Sequence, residues 1–259
     1  MQIRSPAADP KARFPTFLAL GTQKGGTTTL HRLLAQHPQV FLPACKEVHY
    51  FSLHSQRGLG WYADHFTAAR PDQRCGDITP YYLFHPEAPH RIRSALPAAR
   101  LLILLRDPVE RALSHYFHAR RHGFETLELE AALAAEADRL HGAEAALALA
   151  GGQHFSHQKH SYRARGHYEH QIQAYRQQFP DQQLLVLQSE QLFAQPEHCW
   201  DKVLRFLGLS PWPVPPMQRA NGGLGEAHAV APSLRDQLRH HYADTVAFVR
   251  HTYGFDWGW

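Results

Sequence analysis

Apolar residues fall into short continuous runs separated by stretches with helical spacing. FLAL (17–20) has the composition of a buried strand. It enters GTQKGG, after which TTTLHRLLAQH places Leu30, Leu33 and Leu34 on one helical face and Pro38 ends the helix. VFLP (40–43) reads as a second short strand. RLLILL (100–105) is the strongest apolar run, the pattern of a central parallel strand covered on both faces. RDP follows, and VERALSHYFHARRH predicts a helix with Asp107 as N-cap and Pro108 in the first turn. Residues 127–150, rich in Ala and Glu, predict one long helix stopped by Gly151 and Gly152. HFSHQKHSYRARG has the composition of a mobile loop, and HYEHQIQAYRQQFP of another helix. LLVLQSEQL (184–192) begins as a strand, and PEHCWDKVLRFLGL (196–209) predicts a helix closed by Gly208. SPWPVPP is a rigid connector, NGGLGEAH (221–228) a glycine-rich loop, and SLRDQLRHHYADTVAFVRHTYGFDW a final amphipathic helix and tail.

Strands alternating with helices imply an α/β fold, a P-loop-like three-layer arrangement with a central parallel sheet flanked by helices. Residues 1–15, polar and Pro-rich, read as a flexible leader, and 16–259 as one domain without internal repeats. A formal net charge of +4 suits an anionic ligand but is too small and dispersed for nucleic acid. The 21 histidines lack metal-ligand spacing and read as decoration of a solvated surface, so no metal is expected. Three scattered cysteines without a CxxC argue against a disulfide framework. With no apolar run long enough to span a bilayer and no apolar signal core, a cytoplasmic protein without an integral membrane segment is expected.

The loop after the first strand carries the candidate chemistry. A nucleotide P-loop reads GxxxxGK[ST], its backbone N–H groups cradling phosphates and its lysine reaching the β/γ-phosphates. Gly21 and Gly26 keep that separation, but Thr27 occupies the lysine position and the lysine stands at Lys24, inside the loop. The strongest strand ends in Arg106 rather than in a metal-binding aspartate. This pattern suits a phosphate-like anion held at a helix N-terminus without Mg²⁺. Arg106 lies where ligands bind in open α/β sheets, and Ser114 follows eight residues later, about two helical turns on. An arginine fork plus a hydroxyl can hold a second phosphate, so the ligand has two separated anionic ends.

GTQKGGTTTLHRLLAQHP resembles the 5′-phosphosulfate loop of sulfotransferases, and LLILLRDPVERALSHY resembles their 3′-phosphate motif. KEVHYFS (46–52), GLGWY (58–62), GDITPYY (76–82), the Gly-x-Tyr of RGHYEHQ and the closing FDW are similar to the heparan sulfate branch of glucosaminyl N- and 3-O-sulfotransferases and their bacterial relatives. The resemblance spans roughly residues 15–257 and implies 3′-phosphoadenosine 5′-phosphosulfate (PAPS) as donor, 3′,5′-adenosine bisphosphate (PAP) as product and no metal. It assigns Gly21, Thr22, Gln23, Lys24, Gly25, Gly26, Thr27 and Thr28 to the 5′-phosphosulfate, through the backbone N–H groups of Gly25 to Thr28 and the threonine hydroxyls. It assigns Lys24 to the bridging oxygen where leaving-group charge develops, and Arg106 and Ser114 to the 3′-phosphate. Glu47 matches the family's catalytic base, its pKa expected to be raised by burial. His49 matches a histidine that orients acceptor or base in some relatives.

Asp77, Tyr81 and Tyr82 are expected to face the acceptor, with at least one of the tyrosines in the core. Three features depart from the family pattern. Ile78 stands where relatives acting on heparan sulfate often carry lysine, NGGLGEAH lacks the Lys-Gly-Arg that closes on the donor, and the paired cysteines of animal enzymes are absent. Arg219 lies just upstream of that loop, and other basic residues cluster modestly at Arg120, Arg121, Lys159, Arg163 and Arg165. The implied reaction is sulfuryl transfer to a hydroxyl or amine of a sugar-like, glycolipid or small-molecule acceptor, with residues 151–167 covering the acceptor cleft. A P-loop kinase and a non-catalytic nucleotide-binding protein on the same scaffold remain as alternatives.

Overall fold

A computed structural model describes residues 13–217 and 226–259. The expected leader, residues 1–15, therefore lies mostly outside the described residues, and so do Arg219 and most of NGGLGEAH. Five strands, β1 (Phe17–Ala19), β2 (Val40–Phe41), β3 (Arg74–Ile78), β4 (Arg100–Leu105) and β5 (Leu184–Gln188), form one sheet in the order β2-β3-β1-β4-β5. All pairings are parallel, with Leu18 opposite Asp77 on one side and Leu101 on the other. Between β1 and β3 run α1 (Thr27–Ala35), α2 (Tyr50–Leu53) and α3 (Gly58–Asp64). Then come α4 (Tyr81–Phe84), α5 (Ala88–Ala95) and, after β4, α6 (Pro108–Arg121). The chain continues through α7 (Leu129–Ala134), α8 (Glu136–Leu140), α9 (Ala143–Ala148), α10 (Phe155–Lys159) and α11 (Tyr168–Arg176). After β5 stand α12 (Ser189–Ala194), α13 (Pro196–Leu207), α14 (Pro232–His241) and α15 (Ala243–Tyr253).

The continuous apolar runs are divided by the pleat, because successive strand residues point to opposite faces. Leu18, Leu101, Ile103 and Leu105 join one core with Phe51, Tyr62, Tyr168, Tyr175 and Val249. Phe17, Ala19, Leu102 and Leu104 join another with Leu30, Leu33, Leu34, Trp200 and Val203. A third core packs Val109, Leu113 and Tyr116 of α6 against Tyr162, Leu234, Leu238 and Tyr242. No helix among the described residues is long and apolar enough to cross a membrane.

Four sequence expectations change. β3 was not expected, since Arg-Cys-Gly-Asp-Ile has no apolar run, yet it lies between β2 and β1. Its buried Asp77 accepts hydrogen bonds from Tyr62 (2.9 Å), Tyr82 (2.9 Å) and Thr79 (2.7 Å), which is what lets a carboxyl sit inside the sheet. Asp77 and Tyr82 therefore belong to the core rather than to the acceptor side. The single helix expected over 127–150 is three short ones, because buried Glu136 accepts from the Arg163 (2.7 Å) and Ala164 (2.8 Å) N–H groups and tertiary bonding overrides propensity. The supposed mobile loop holds α10 and buries Ser161, Tyr162 and Arg165. The final helix is broken at Tyr242, which is buried beneath it.

Gly76 pairs with Phe17 across the β3–β1 ladder, and a Cβ there would lie 2.1–2.6 Å from the Phe17 ring. Gly76→Ala should destabilise the fold by about 1–3 kcal/mol. At about 2–4 °C per kcal/mol, thermal unfolding would show it clearly. An unchanged Tm would mean that the ring does not lie over the glycine.

Candidate active site

The glycine loop leaves β1 still bonded to its neighbour: Leu20 N–H donates to Leu102 O (2.8 Å) and Thr22 N–H to Leu104 O (2.8 Å). Gly25 N–H then turns inward to Thr22 O (2.9 Å), closing the loop. The Gly25 N–H expected to hold the donor is thus bonded within the loop, and the expected N–H groups that remain are those of Gly26, Thr27 and Thr28 at the start of α1. Gly26 caps that helix with a left-handed φ of 91° and no capping side chain; Thr29 N–H turns back to Gly26 O (2.9 Å), which leaves the Thr27 and Thr28 N–H groups without a side-chain cap. A Cβ on Gly25 would come within 2.3 Å of Thr22 Oγ1 and 3.0 Å of the Thr22 and Leu104 carbonyls, so only glycine fits. Thr22 Oγ1 is itself buried without a hydrogen-bond partner. A backbone cradle, an unsatisfied hydroxyl and an uncapped helix of nine residues together fit a phosphate-like group.

Arg106 leaves β4 beside this loop, and its Nη1 donates to Lys24 O (3.0 Å). Tyr168, the tyrosine of the Gly-x-Tyr motif, donates to Arg106 O (2.7 Å) and fixes that turn from the side of α11. Asp107 caps α6 as expected, accepting from Val109 N (2.8 Å) and Glu110 N (3.0 Å). Ser114 is half-buried further along α6. Burial, reinforced by Arg121, Arg106 and Lys46, pulls the Lys24 ammonium down from its ordinary value to about 8.

Among the described residues, positive φ outside glycine occurs at Lys24 (71°), Glu47 (66°) and His49 (57°), the three residues singled out as catalytic. Left-handed backbone costs an L-residue about 1–2 kcal/mol and persists where surrounding contacts hold it. At His49 those contacts are the bonds of α2, whose Leu53 N–H donates to His49 O (2.8 Å). At Glu47 they are ionic: Lys46 Nζ lies 2.9 Å from Oε1 and His49 Nε2 3.5 Å from Oε2. Lys46 Nζ also donates to Thr28 Oγ1 (3.1 Å), which ties the carboxylate to the start of α1. Ser52 Oγ, 3.0 Å from His49 Nδ1, orients the imidazole. Burial pushes the Glu47 carboxyl up, but the His49 hydrogen bond and the Lys46 cation outweigh it and hold the group at about 2. The expected rise is therefore reversed, because the half-buried carboxylate keeps Lys46 and His49 as partners on its two oxygens.

The structure brings together the loop, Arg106, Glu47 and His49, and leaves Ser114 further along α6. Two partners escaped the sequence reading of the site. Lys46 was read only as a neighbour of Glu47. Arg165 belongs to the modest basic cluster of the sequence, yet it is buried and donates to Gln23 Oε1 (2.6 Å), Ser161 Oγ (2.7 Å), His157 O (3.0 Å) and Gln158 O (2.7 Å). Its guanidinium lies 4.9 Å from the Tyr81 ring centroid, and Tyr81 OH meets His157 Nδ1 at 2.8 Å. The only sequence signal for Arg165 was its place just before the Gly-x-Tyr motif. The solvated-surface reading fails for His37, His85, His115, His157 and His160, which are buried. Burial, with Arg165 beside it, holds the His157 ring far below its usual range, at about 2. Ile78 is a core residue, so its position offers nothing to an acceptor. All three cysteines are free, and among the described residues no group of three or more His, Cys, Asp or Glu could hold a metal.

Residues 15–216 match the family model described as Sulfotransferase domain. The human bifunctional heparan sulfate N-deacetylase/N-sulfotransferase 3 is 32% identical over 213 residues, which cover 77% of this chain and 23% of that protein. The chain thus spans about a quarter of the length of that relative. The crystal structure of a sulfotransferase from Alicyclobacillus acidocaldarius matches with a TM-score of 0.78 and 29% identity, over 94% of this chain and 97% of that one. A mouse sulfotransferase, SULT7A1, solved in complex with PAP shares the fold at a TM-score of 0.54 and 14% identity, over 94% of this chain and 86% of that one. On the extent of the family match, over a parallel sheet whose glycine loop and Arg106 meet as described, the chain belongs to the sulfotransferase family.

Proposed function

We propose that residues 16–259 form a single sulfotransferase domain that moves a sulfuryl group from PAPS to a hydroxyl or amine of a sugar-like, glycolipid or small-molecule acceptor. The observation that carries this reading is the Thr28–Lys46–Glu47 chain of contacts, which links the Glu47 carboxylate to the first turn of α1. The donor supplies an activated sulfuryl group on a phosphate. Gly26, Thr27 and Thr28 hold the 5′ end by backbone N–H groups, with the Thr22 hydroxyl adding a donor. Arg106, which spends one N–H of its five on Lys24 O, turns the rest of its fork to the 3′-phosphate with Ser114.

Glu47 accepts the proton of the acceptor hydroxyl or amine as the new bond to sulfur forms. Lys24 takes the charge released on the phosphate oxygen as the old sulfur–oxygen bond breaks, stabilising the transition state more than the ground state. His49 holds Glu47 Oε2 and aims the carboxylate. The mouse neighbour's complex with PAP supports this choice of donor. The relation to a heparan sulfate N-sulfotransferase supports a sugar-like acceptor, and three free thiols support a reducing, cytoplasmic compartment.

PAP at 100 times its Kd should stabilise the fold by about 2.7 kcal/mol, several degrees of Tm, without Mg²⁺, and ATP much less. The reverse ranking in a thermal-shift comparison would favour a kinase. Lys24→Ala and Glu47→Gln should each lower kcat at least about 100-fold. Arg106→Ala should act mainly on PAP affinity. A Glu47→Gln variant with full turnover would move the base elsewhere.

Gly25→Ala forces a Cβ against Thr22 Oγ1 and two carbonyls, so the cradle must open. PAP affinity measured by calorimetry should fall at least about tenfold, or 1.4 kcal/mol. Retained affinity would show that the loop does not hold the donor by its backbone.

The profile of kcat/KM against pH reports the free enzyme. Lys24 must be protonated to act and titrates at about 8, so kcat/KM should fall about tenfold per pH unit above that value. Glu47 ionises at about 2 and should add no acid limb between pH 5 and 7. A profile still flat at about pH 9.5 would exclude Lys24 as the required cation.

A further inference from the structure

Lys46 is the hinge between the two halves of the site. Its ammonium is shared between Thr28 Oγ1 (3.1 Å), in the first turn of α1, and Glu47 Oε1 (2.9 Å). The same ammonium that neutralises Glu47 therefore stands at the edge of the seat assigned to the donor. A phosphate group carries more charge than a carboxylate and offers more acceptor oxygens, so it competes for the three N–H donors of Lys46 on favourable terms. Glu47 Oε2 would keep His49, 3.5 Å away, while Oε1 would lose its partner.

We infer that Lys46 couples donor binding to the readiness of the base: it passes from Glu47 to the donor phosphate, and the freed Oε1 becomes the proton acceptor. The inference rests on the donor and base assignments proposed above. It makes Lys46 a positioning residue, acting on the acceptor only through Glu47. No covalent bond changes in this step, and the proton moves only afterwards, from the acceptor to Oε1. The remaining titratable groups in reach of Glu47 are His49 on its own segment, His31 on α1, Lys159 on α10 and Arg165. Among the described residues the side-chain hydrogen bond to Thr28 Oγ1 comes from Lys46.

The test is carboxyl NMR of the full chain labelled at glutamate, with Glu47 identified by the signal missing in Glu47→Gln. In the wild type, saturating PAP should raise the Glu47 titration midpoint by roughly 1–3 pH units, the usual effect of withdrawing a close opposite charge. In Lys46→Met the midpoint should already be raised without PAP, and PAP should move it by less than half as much. Lys46→Arg, which keeps the cation, should restore the response. Calorimetric binding of PAP with an unmoved Glu47 midpoint in the wild type would overturn the coupling and leave the donor assignment standing. An equal PAP-induced rise in Lys46→Met would assign the effect to direct repulsion by the phosphate and overturn it too. Failure of PAP to bind would overturn both, and the wild-type arm decides without any variant having to fold.

Discussion

The site depends on the in-register parallel pairing of β1 with β4. The Thr22 N–H bonds to Leu104 O, so the glycine loop leaves the sheet still tied to the neighbouring strand. Two residues beyond Leu104 that strand ends at Arg106, whose guanidinium returns to Lys24 O. Loop and strand end are thus joined at both ends of a short circuit, and Lys24 cannot turn without breaking the Arg106 contact. A hydrogen bond from a charged donor contributes about 1.5–3 kcal/mol. Left-handed backbone at Lys24 costs about 1–2 kcal/mol, so the clamp suffices to hold the strain. Because α1 follows β1 and α6 follows β4 in a parallel sheet, the glycine loop and Arg106 lie on the same edge, the position where open α/β sheets take their ligands.

Three cations stand around Lys24 at that edge. Burial first, and then Arg121, Arg106 and Lys46, depress the Lys24 pKa. Folded Lys24 titrates at about 8 against 10.5 for the ordinary group, so the unfolded chain binds more protons between these values. The Lys24 contribution to stability therefore grows as pH rises through that window and is least favourable at neutral pH, where its ammonium is charged. An anion relieves this penalty most where the penalty is largest. Arg165 adds positive field without offering a grip, since its N–H donors are turned to Gln23, Ser161, His157 and Gln158.

The legible parts of the sequence were those governed by a single local rule. The apolar run of β4, the helix after the glycine loop, and the Asp107 cap with Pro108 behind it all came out as expected. The glycine loop and Arg106 could be placed together because strand ends in a parallel sheet converge. What stayed hidden depends on partners distant in sequence. β3 has a polar core strand's composition, tolerable only because Tyr62, Tyr82 and Thr79 satisfy Asp77. The helix breaks within 127–150 answer to Glu136 bonding at Arg163 and Ala164. The direction of the Glu47 shift turned on whether its burial came with cations or apolar groups, and only the fold puts Lys46 and His49 on its two oxygens.

The segment carrying Glu47 shows how a local rule can be broken and held. Glu47 and His49 both adopt left-handed backbone, and between them Val48 is 4% exposed within the core that contains Phe51 and Tyr62. Full burial of a valine contributes about 1.5–3 kcal/mol, against about 1–2 kcal/mol for each left-handed residue. Val48 alone does not cover both, and the balance comes from the α2 bonds to His49 O and the Lys46 and His49 contacts on the carboxylate. Val48 acts as a peg that fixes the depth of the segment. The strain is held by these contacts, which anchor one short loop in the core and keep the Glu47 carboxylate and the His49 imidazole 3.5 Å apart.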